Sequence, residues 1–252
     1  MDITHLVVNG CSWTYCQGLE DPKNQGWPKL LADQLGCEVV NLAIPGSGND
    51  TVHRRVYEYV HENLPTNSKP LFVIMWSQYW RREHWWRKWY NADCDDFAPL
   101  HYPDGLPTND FEKAFIKNFN EEEFIRKMMI IKTSLVALFN CYNIPYVMFD
   151  YHDDHTLNKT IEDVKKRFPN FYKTFSQIND VESVNDVTRY YSKTPCGHDG
   201  LDAHPVLSNF LKGIIDKKYG PLNVVSSDFL RAKDFPIGNK NNYTHFTKSV
   251  WM

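Results

Sequence analysis

Apolar and polar positions fall into two kinds of run that take turns along the chain. Short apolar runs lie at 3–8, at Val39-Val40, at Leu71-Phe72-Val73-Ile74-Met75 and at 145–149. Their β-branched content and length predict strands at about 3–9, 38–42, 71–75 and 145–149. The unbroken run at 71–75 suits a strand covered on both faces. Between them stand stretches with helical spacing: 27–35, ending near Gly36, then 51–63, closed by Leu64-Pro65, and 206–219. A long helix is predicted over 121–142, where Phe124, Met128, Ile131, Leu135 and Leu138 form one apolar face. Strands alternating with helices imply βαβ crossovers and a parallel sheet. A fifth strand is the least defined element of the pattern.

Two stretches interrupt this rhythm. From Tyr79 to about Phe119 the chain carries Trp80-Arg81-Arg82-Glu83-His84-Trp85-Trp86-Arg87-Lys88-Trp89-Tyr90, then irregular sequence at 93–96 and 99–108. It begins directly beyond the third strand. Dense Trp and Arg suit stacking on apolar sugar faces or gripping a partner protein, and equally a lid over the core. After the fourth strand comes Asp150-Tyr151-His152-Asp153-Asp154-His155. Its histidines and acids share one short loop, without the i, i+4 helical spacing of a zinc-protease motif, so a solvated or substrate-facing loop is expected and no metal. Asp150, at a strand end, is placed on the crevice. A helical excursion at 161–178 breaks at Phe168-Pro169, and beyond Gly220 the periodicity is lost. The organisation expected is one domain at 1–220 with an insertion at about 79–119. An extension at 221–252 would pack on that domain or on a neighbouring subunit.

Composition narrows the function classes. A net charge of −3 over 252 residues gives no basic footprint for nucleic acid. No apolar stretch approaches the ~20 residues that span a bilayer. The N-terminus lacks a signal-peptide pattern, which points to a cytoplasmic protein. Six cysteines at 11, 16, 37, 94, 141 and 196 form no C-x-x-C pair, against a zinc ribbon or a disulfide framework. Cys37 and Cys141 are expected as small buried hydrophobes.

Candidate chemistry sits at the two ends. Val7-Val8-Asn9-Gly10-Cys11-Ser12-Trp13 carries a serine just past a strand and a turn-permitting glycine, and open α/β sheets bind ligands beyond the carboxyl ends of their strands. Read alone, Ser12 is more simply a helix cap, and Cys11 is a competing thiol nucleophile. Near the other end stands Asp202-Ala203-His204-Pro205, with Pro205 favouring a helix start. In an extended segment residues two apart share a side, so Asp202 would reach and orient His204. Neither Gly-x-Gly-x-x-Gly nor a P-loop follows the first strand, which disfavours a nucleotide-binding reading.

Together these blocks resemble the SGNH/GDSL hydrolases. Gly10-Cys11-Ser12 stands where that family has Gly-Asp-Ser, and Asp202-Ala203-His204-Pro205 resembles its C-terminal Asp/His block. Between them, 41–50 resembles the block whose glycine N–H enters the oxyanion hole, with Gly46 in that place. The family's Gly-x-Asn block is replaced by Trp76-Ser77-Gln78-Tyr79, where Gln78 stands for the asparagine and Ser77 competes as donor. Cys11 for Asp is a second departure. The blocks spread from residue 7 to about 215. The resemblance implies a three-layer α/β/α, flavodoxin-like sandwich around a parallel sheet of order 2-1-3-4-5, with an aromatic-rich insertion after strand three. It implies Ser12, His204 and Asp202 as a catalytic triad, an oxyanion hole of Ser12, Gly46 and Gln78, and no cofactor. Trp13, Ser77, Trp80, Trp85, Trp86 and Asp150 are the expected substrate contacts.

The expected activity is ester hydrolysis, with the aromatic insertion favouring O-acetyl groups on a glycan. An SGNH-fold binding or structural protein without catalysis, and an O-acyltransferase, are the alternatives. The first block also resembles SGNH-like proteins of bacteriophages, which would place the chain in a virion. A homo-oligomer is a further expectation.

Overall fold

The computed structural model describes residues 1–64, 67–85, 97–100, 110–151, 157–176, 178 and 181–224. A five-stranded parallel sheet forms its centre, built from β1 (His5–Asn9), β2 (Glu38–Asn41), β3 (Pro70–Trp76), β4 (Tyr146–Asp150) and β5 (Val181–Ser183). The spatial order is β2-β1-β3-β4-β5, as the family resemblance implied. Val8 pairs with Val73, and Val73 with Val147, so the three inner strands run in step. Every residue of β1 and β3 is buried, which explains why their sequences read as unbroken apolar runs.

Side-chain parity sorts the core onto two faces. Leu6, Val8, Leu71, Val73, Met75, Val147 and Phe149 pack on one side against α2 (Trp27–Leu35) and α5 (Ala203–Tyr219). Val7, Phe72, Ile74, Trp76 and Met148 pack on the other, against α3 (Asn49–Glu58) and α4 (Glu121–Cys141). The three-layer sandwich follows. Each fully buried aliphatic or phenyl side chain contributes roughly 1.5–3 kcal/mol, so these two layers hold the sheet rigid.

Several boundaries differ from expectation. The first apolar run is split at Thr4: Asp2–Ile3 pairs with Asn223–Val224, while His5 starts the central strand. The start of the expected extension thus lies beside the N-terminus. The helix after Gly48 turns π-helical over Tyr59–Asn63. There Tyr59 Oη and Thr4 Oγ1 each lie 2.7 Å from a ring nitrogen of the buried His5, at the amino ends of the strands. In the insertion, Arg82–Trp85 pairs antiparallel with Phe97–Leu100, so residues 99 and 100 are strand rather than irregular, and a helix follows at Asp110–Lys117. The excursion is two helices, Leu157–Arg167 and Pro169–Phe175, parted at Phe168 because Pro169 starts the second. The fifth strand is the short Val181–Ser183, which meets β4 through an irregular register.

Candidate functional site

Three segments that the sequence singled out come together at the carboxyl ends of the strands. Asn9, the last residue of β1, donates its amide to Val52 O at 2.9 Å and accepts the Gly10 N–H at 2.8 Å. Gly10 passes so close to β3 that a Cβ there would lie 2.8 Å from the Met75 carbonyl oxygen. Cys11 stays extended, and the one-turn helix α1 (Ser12–Tyr15) begins at Ser12. Ser12 is buried, at the head of this turn.

The loop after β2 closes over that turn. Asn41 Nδ2 donates to Thr14 O at 3.1 Å, and Ser47 Oγ donates to Gly10 O at 3.0 Å. Gly46 takes φ +79°, a left-handed conformation that glycine adopts at little cost. Asn49 then joins this loop to the end of β3. Its Oδ1 accepts Ser77 N–H at 2.7 Å, and its Nδ2 donates to Ser77 O at 2.9 Å. Asn49, just ahead of the helix predicted from residue 51, is by residue type a candidate helix cap, as is Asp50. The structure puts Gly48 at the cap and spends the buried Asn49 amide on this reciprocal clamp. Beside the clamp, Ser77 Oγ and Gln78 Oε1 are buried without a hydrogen-bond partner. Buried polar atoms are seldom left so, and both belong to expected oxyanion or substrate contacts.

The C-terminal pair behaves differently. Asp202 is exposed, and its carboxylate accepts the Ser192 N–H at 3.2 Å and the Ser192 hydroxyl. No hydrogen bond joins it to His204. The reason is local. Asp202 is already helical (φ −71°, ψ −22°) and α5 starts at Ala203, so residues two apart point about 200° apart instead of to one side. His204 is therefore inside the helix, not before it. Its ring is buried, with Nδ1 accepting the Trp27 N–H at 3.3 Å and Nε2 unpartnered. Burial lowers its pKa, opposed by the charge and main-chain carbonyl of Asp199 and then by Asp202. No hydrogen bond joins His204 to Ser12 among the described residues.

A cluster that sequence reading did not single out lies upstream in the same segment. Asp199 is buried, accepts the Tyr151 hydroxyl at 3.3 and 3.4 Å, and pairs with Lys193. The Tyr151 ring stacks on Trp13 at 3.9 Å. His198 lies 4.7 Å from the same indole, centroid to centroid, and Lys193 Nζ sits 5.3 Å from it. Trp13 thus packs among protein groups. The available signal was Tyr151 itself, the residue after a strand end, on the opposite face from Asp150.

Asp150 is on the α4 face. Its two oxygens lie 2.7 and 2.8 Å from Lys132 Nζ, a fully buried ammonium 5.4 Å from the Trp76 ring. Burial pulls the Lys132 pKa down and Asp150 holds it up. Trp80 is half-buried, edge-on to Tyr79, and packs with Phe124 and Ile125 at the start of α4. The Trp85 side chain, Trp86 and the loop at 152–156 lie outside the described residues. Cys37 is half-buried and Cys141 exposed at the end of α4, where both were expected inside.

Solved structures share this arrangement of elements. The psychrotrophic esterase EstA from Pseudoalteromonas sp. matches with a TM-score of 0.51 and 15% identity, over 85% of this chain and 98% of its own. A family 2 carbohydrate esterase with a carbohydrate-binding domain, from Corynascus thermopiles (Myceliophthora fergusii), gives 0.54 and 14%, over 86% and 67%. A carbohydrate esterase whose active site displays divergent catalytic and non-catalytic binding functions gives 0.52 and 14%, over 86% and 66%. No protein-family model and no curated protein matches the sequence.

Proposed function

The chain has the SGNH/GDSL hydrolase fold, and on that premise we propose that it is a serine esterase with Ser12 as nucleophile. The observation that carries this reading is the linkage of three loops at the turn that presents Ser12. Gly10, Ser47, Asn49 and Ser77 bond these loops to one another at the carboxyl ends of β1, β2 and β3. Ser12 Oγ attacks the ester carbonyl and its proton passes to an imidazole of the 198–204 segment. The N–H groups of Ser12 and Gly46, with Gln78 or Ser77, take up the oxyanion charge, each donor being worth roughly 3 kcal/mol in the transition state. The imidazolium then protonates the leaving alkoxide, and water releases the acid by the same steps reversed.

The substrate class proposed is an O-acetylated glycan. Two of the matching structures are carbohydrate esterases, and the tryptophans of the insertion begin beside the clamp. The test is hydrolysis of p-nitrophenyl acetate and of an acetylated oligosaccharide by wild type and Ser12→Ala. Turnover lost in the variant is expected; equal turnover by both rules out Ser12. A second reading, a binding module without catalysis, is favoured by the Asp202–Ser192 and His204–Trp27 bonds, which leave the expected triad unassembled. It requires that folded wild type turn over neither substrate while retaining glycan binding.

A further inference from the structure

A single helical turn has no stability of its own, because the cost of nucleating a helix is not repaid within so few residues. The turn Ser12–Tyr15, which presents the candidate nucleophile, is such a helix, and no side chain caps it at Cys11. Its placement therefore comes from what it touches. The Asn41 amide holds the Thr14 carbonyl, and the rest of the grip is on Trp13. The Tyr151 ring stacks on the indole at 3.9 Å, with 18° between the planes. The His198 ring lies 4.7 Å away, centroid to centroid, and Lys193 Nζ 5.3 Å.

These three groups meet again at Asp199. Its carboxylate, only 4% exposed, accepts the Tyr151 hydroxyl at 3.3 and 3.4 Å and pairs with Lys193, and His198 is the residue before it. The Asp199 main chain is bridged antiparallel to Lys193. On either side, Thr194 N–H donates to His198 O at 2.8 Å and Gly200 N–H to Ser192 O at 2.7 Å. The chain then runs directly into α5. Ala203 N–H donates to Gly200 O at 3.1 Å, and buried His204, the general base that the family resemblance implies, follows. A buried carboxylate is costly unless it is paired and hydrogen-bonded. Here both groups that satisfy it, the Tyr151 hydroxyl and the Lys193 ammonium, belong to side chains that lie against Trp13. One carboxylate thus joins the turn that carries Ser12 to the loop that leads to His204.

We infer that Asp199 is a positioning residue for Ser12, acting through Tyr151 and Trp13, an inference that rests on the reading of Ser12 as nucleophile. Asp199 holds Tyr151 and Lys193, these hold the indole, and the indole fixes the turn whose first residue attacks the ester. The same carboxylate fixes the approach to α5, so nucleophile and base are set against each other by one anchor. Displacing a reacting group by about 1 Å costs on the order of 10²-fold in rate, even when the change is remote from the chemistry. Asp202, by contrast, is bonded to Ser192 at the surface and lacks any such link to the Ser12 turn among the described residues.

The test is a double-mutant cycle on p-nitrophenyl acetate turnover by the full chain, using Asp199→Ala, Trp13→Ala and the double variant, with circular dichroism as a folding check. Asp199→Ala is expected to lose roughly 10²-fold in kcat with little change in KM. The double variant is expected to stay within about threefold of the slower single variant, because a shared path is lost only once. A residue that served the fold alone would lower the unfolding midpoint and leave the kcat of folded enzyme unchanged. Where Asp199→Ala does not fold, Tyr151→Phe stands in. It removes the hydroxyl, keeps the stacked ring, and is expected to lose about tenfold in kcat. A folded variant of either kind within about threefold of wild-type kcat overturns the inference, and so do losses that multiply in the double variant. Ser12→Ala, run alongside, reports separately: turnover lost there but kept in the Asp199 and Tyr151 variants sinks this inference and leaves the esterase reading. Wild type with no Ser12-dependent turnover removes both.

Discussion

The two halves of the candidate site are held in different ways. Residues 9–12, 46–49 and 77 follow the carboxyl ends of sheet strands and are locked by buried hydrogen bonds such as the Asn49–Ser77 clamp. Residues 192–202 form a loop with good internal bonds, from which some side chains reach the surface, as that of Asp202 does, while that of Asp199 is buried. A sheet in fixed register leaves its strand ends one arrangement, so residue type there reports position well. A loop can turn by one helical residue and send a side chain the other way. Placement is dictated in the first half and chosen locally in the second.

This contrast orders the expected effects of mutation. The largest belongs to the end of β4. Lys132→Ala leaves the Asp150 carboxylate without its buried cation and should cost ~3–5 kcal/mol in urea unfolding. A loss under 1 kcal/mol would mean that the strand ends are less rigid than the bonding indicates. Asn49→Ala unpairs both main-chain groups of Ser77 and should cost roughly 2–4 kcal/mol, with turnover falling as Ser77 and Gln78 come loose. Equilibrium unfolding and kinetics on one preparation measure both.

A third test uses the opposite end of the sheet. Burial pushes the His5 pKa down to about 4 from 6.5. Between those values the unfolded chain binds the proton and the folded chain does not, so stability rises with pH. The contribution is present above pH 6.5 and is lost as pH falls towards 4. At pH 5 that loss is roughly 2 kcal/mol. His5→Gln should flatten the difference in unfolding free energy between pH 7.5 and 5 by that much; His198 and His204, lowered in the same direction, leave the remainder. An unchanged slope would show that His5 is not buried as described. The smallest effect is expected from Asp202→Asn in the loop. With its carboxylate in solvent on Ser192, the melting temperature should stay put and turnover should stay within about threefold. A drop of a thousandfold would restore Asp202 to the triad.

What could be read from the sequence follows the same division. The four main strands, the flanking helices and the turns at Gly10 and Gly46 were legible because continuous apolar runs and glycine needs are local properties. Strand order came through the family resemblance. The Asp202–His204 pairing failed because a same-side rule for extended chain was applied where the backbone is helical. Lys132 was hidden inside an apolar stripe whose other members predict only burial. Asp150 was placed correctly at a strand end, yet its partner is an ammonium on a helix 18 residues earlier, which no local pattern reveals. The Asn49 clamp was not legible, because an asparagine ahead of a helix suits capping by residue type and its reach to Ser77 is a tertiary contact.

The central claim is that Ser12 is an activated nucleophile, and covalent labelling tests it most directly. Wild type and Ser12→Ala would be treated with a fluorophosphonate, digested and mapped by mass spectrometry. One adduct on the Ser12 peptide of wild type, absent from the variant, is the result predicted. Folded wild type without an adduct, or with an adduct that persists in Ser12→Ala, would contradict it.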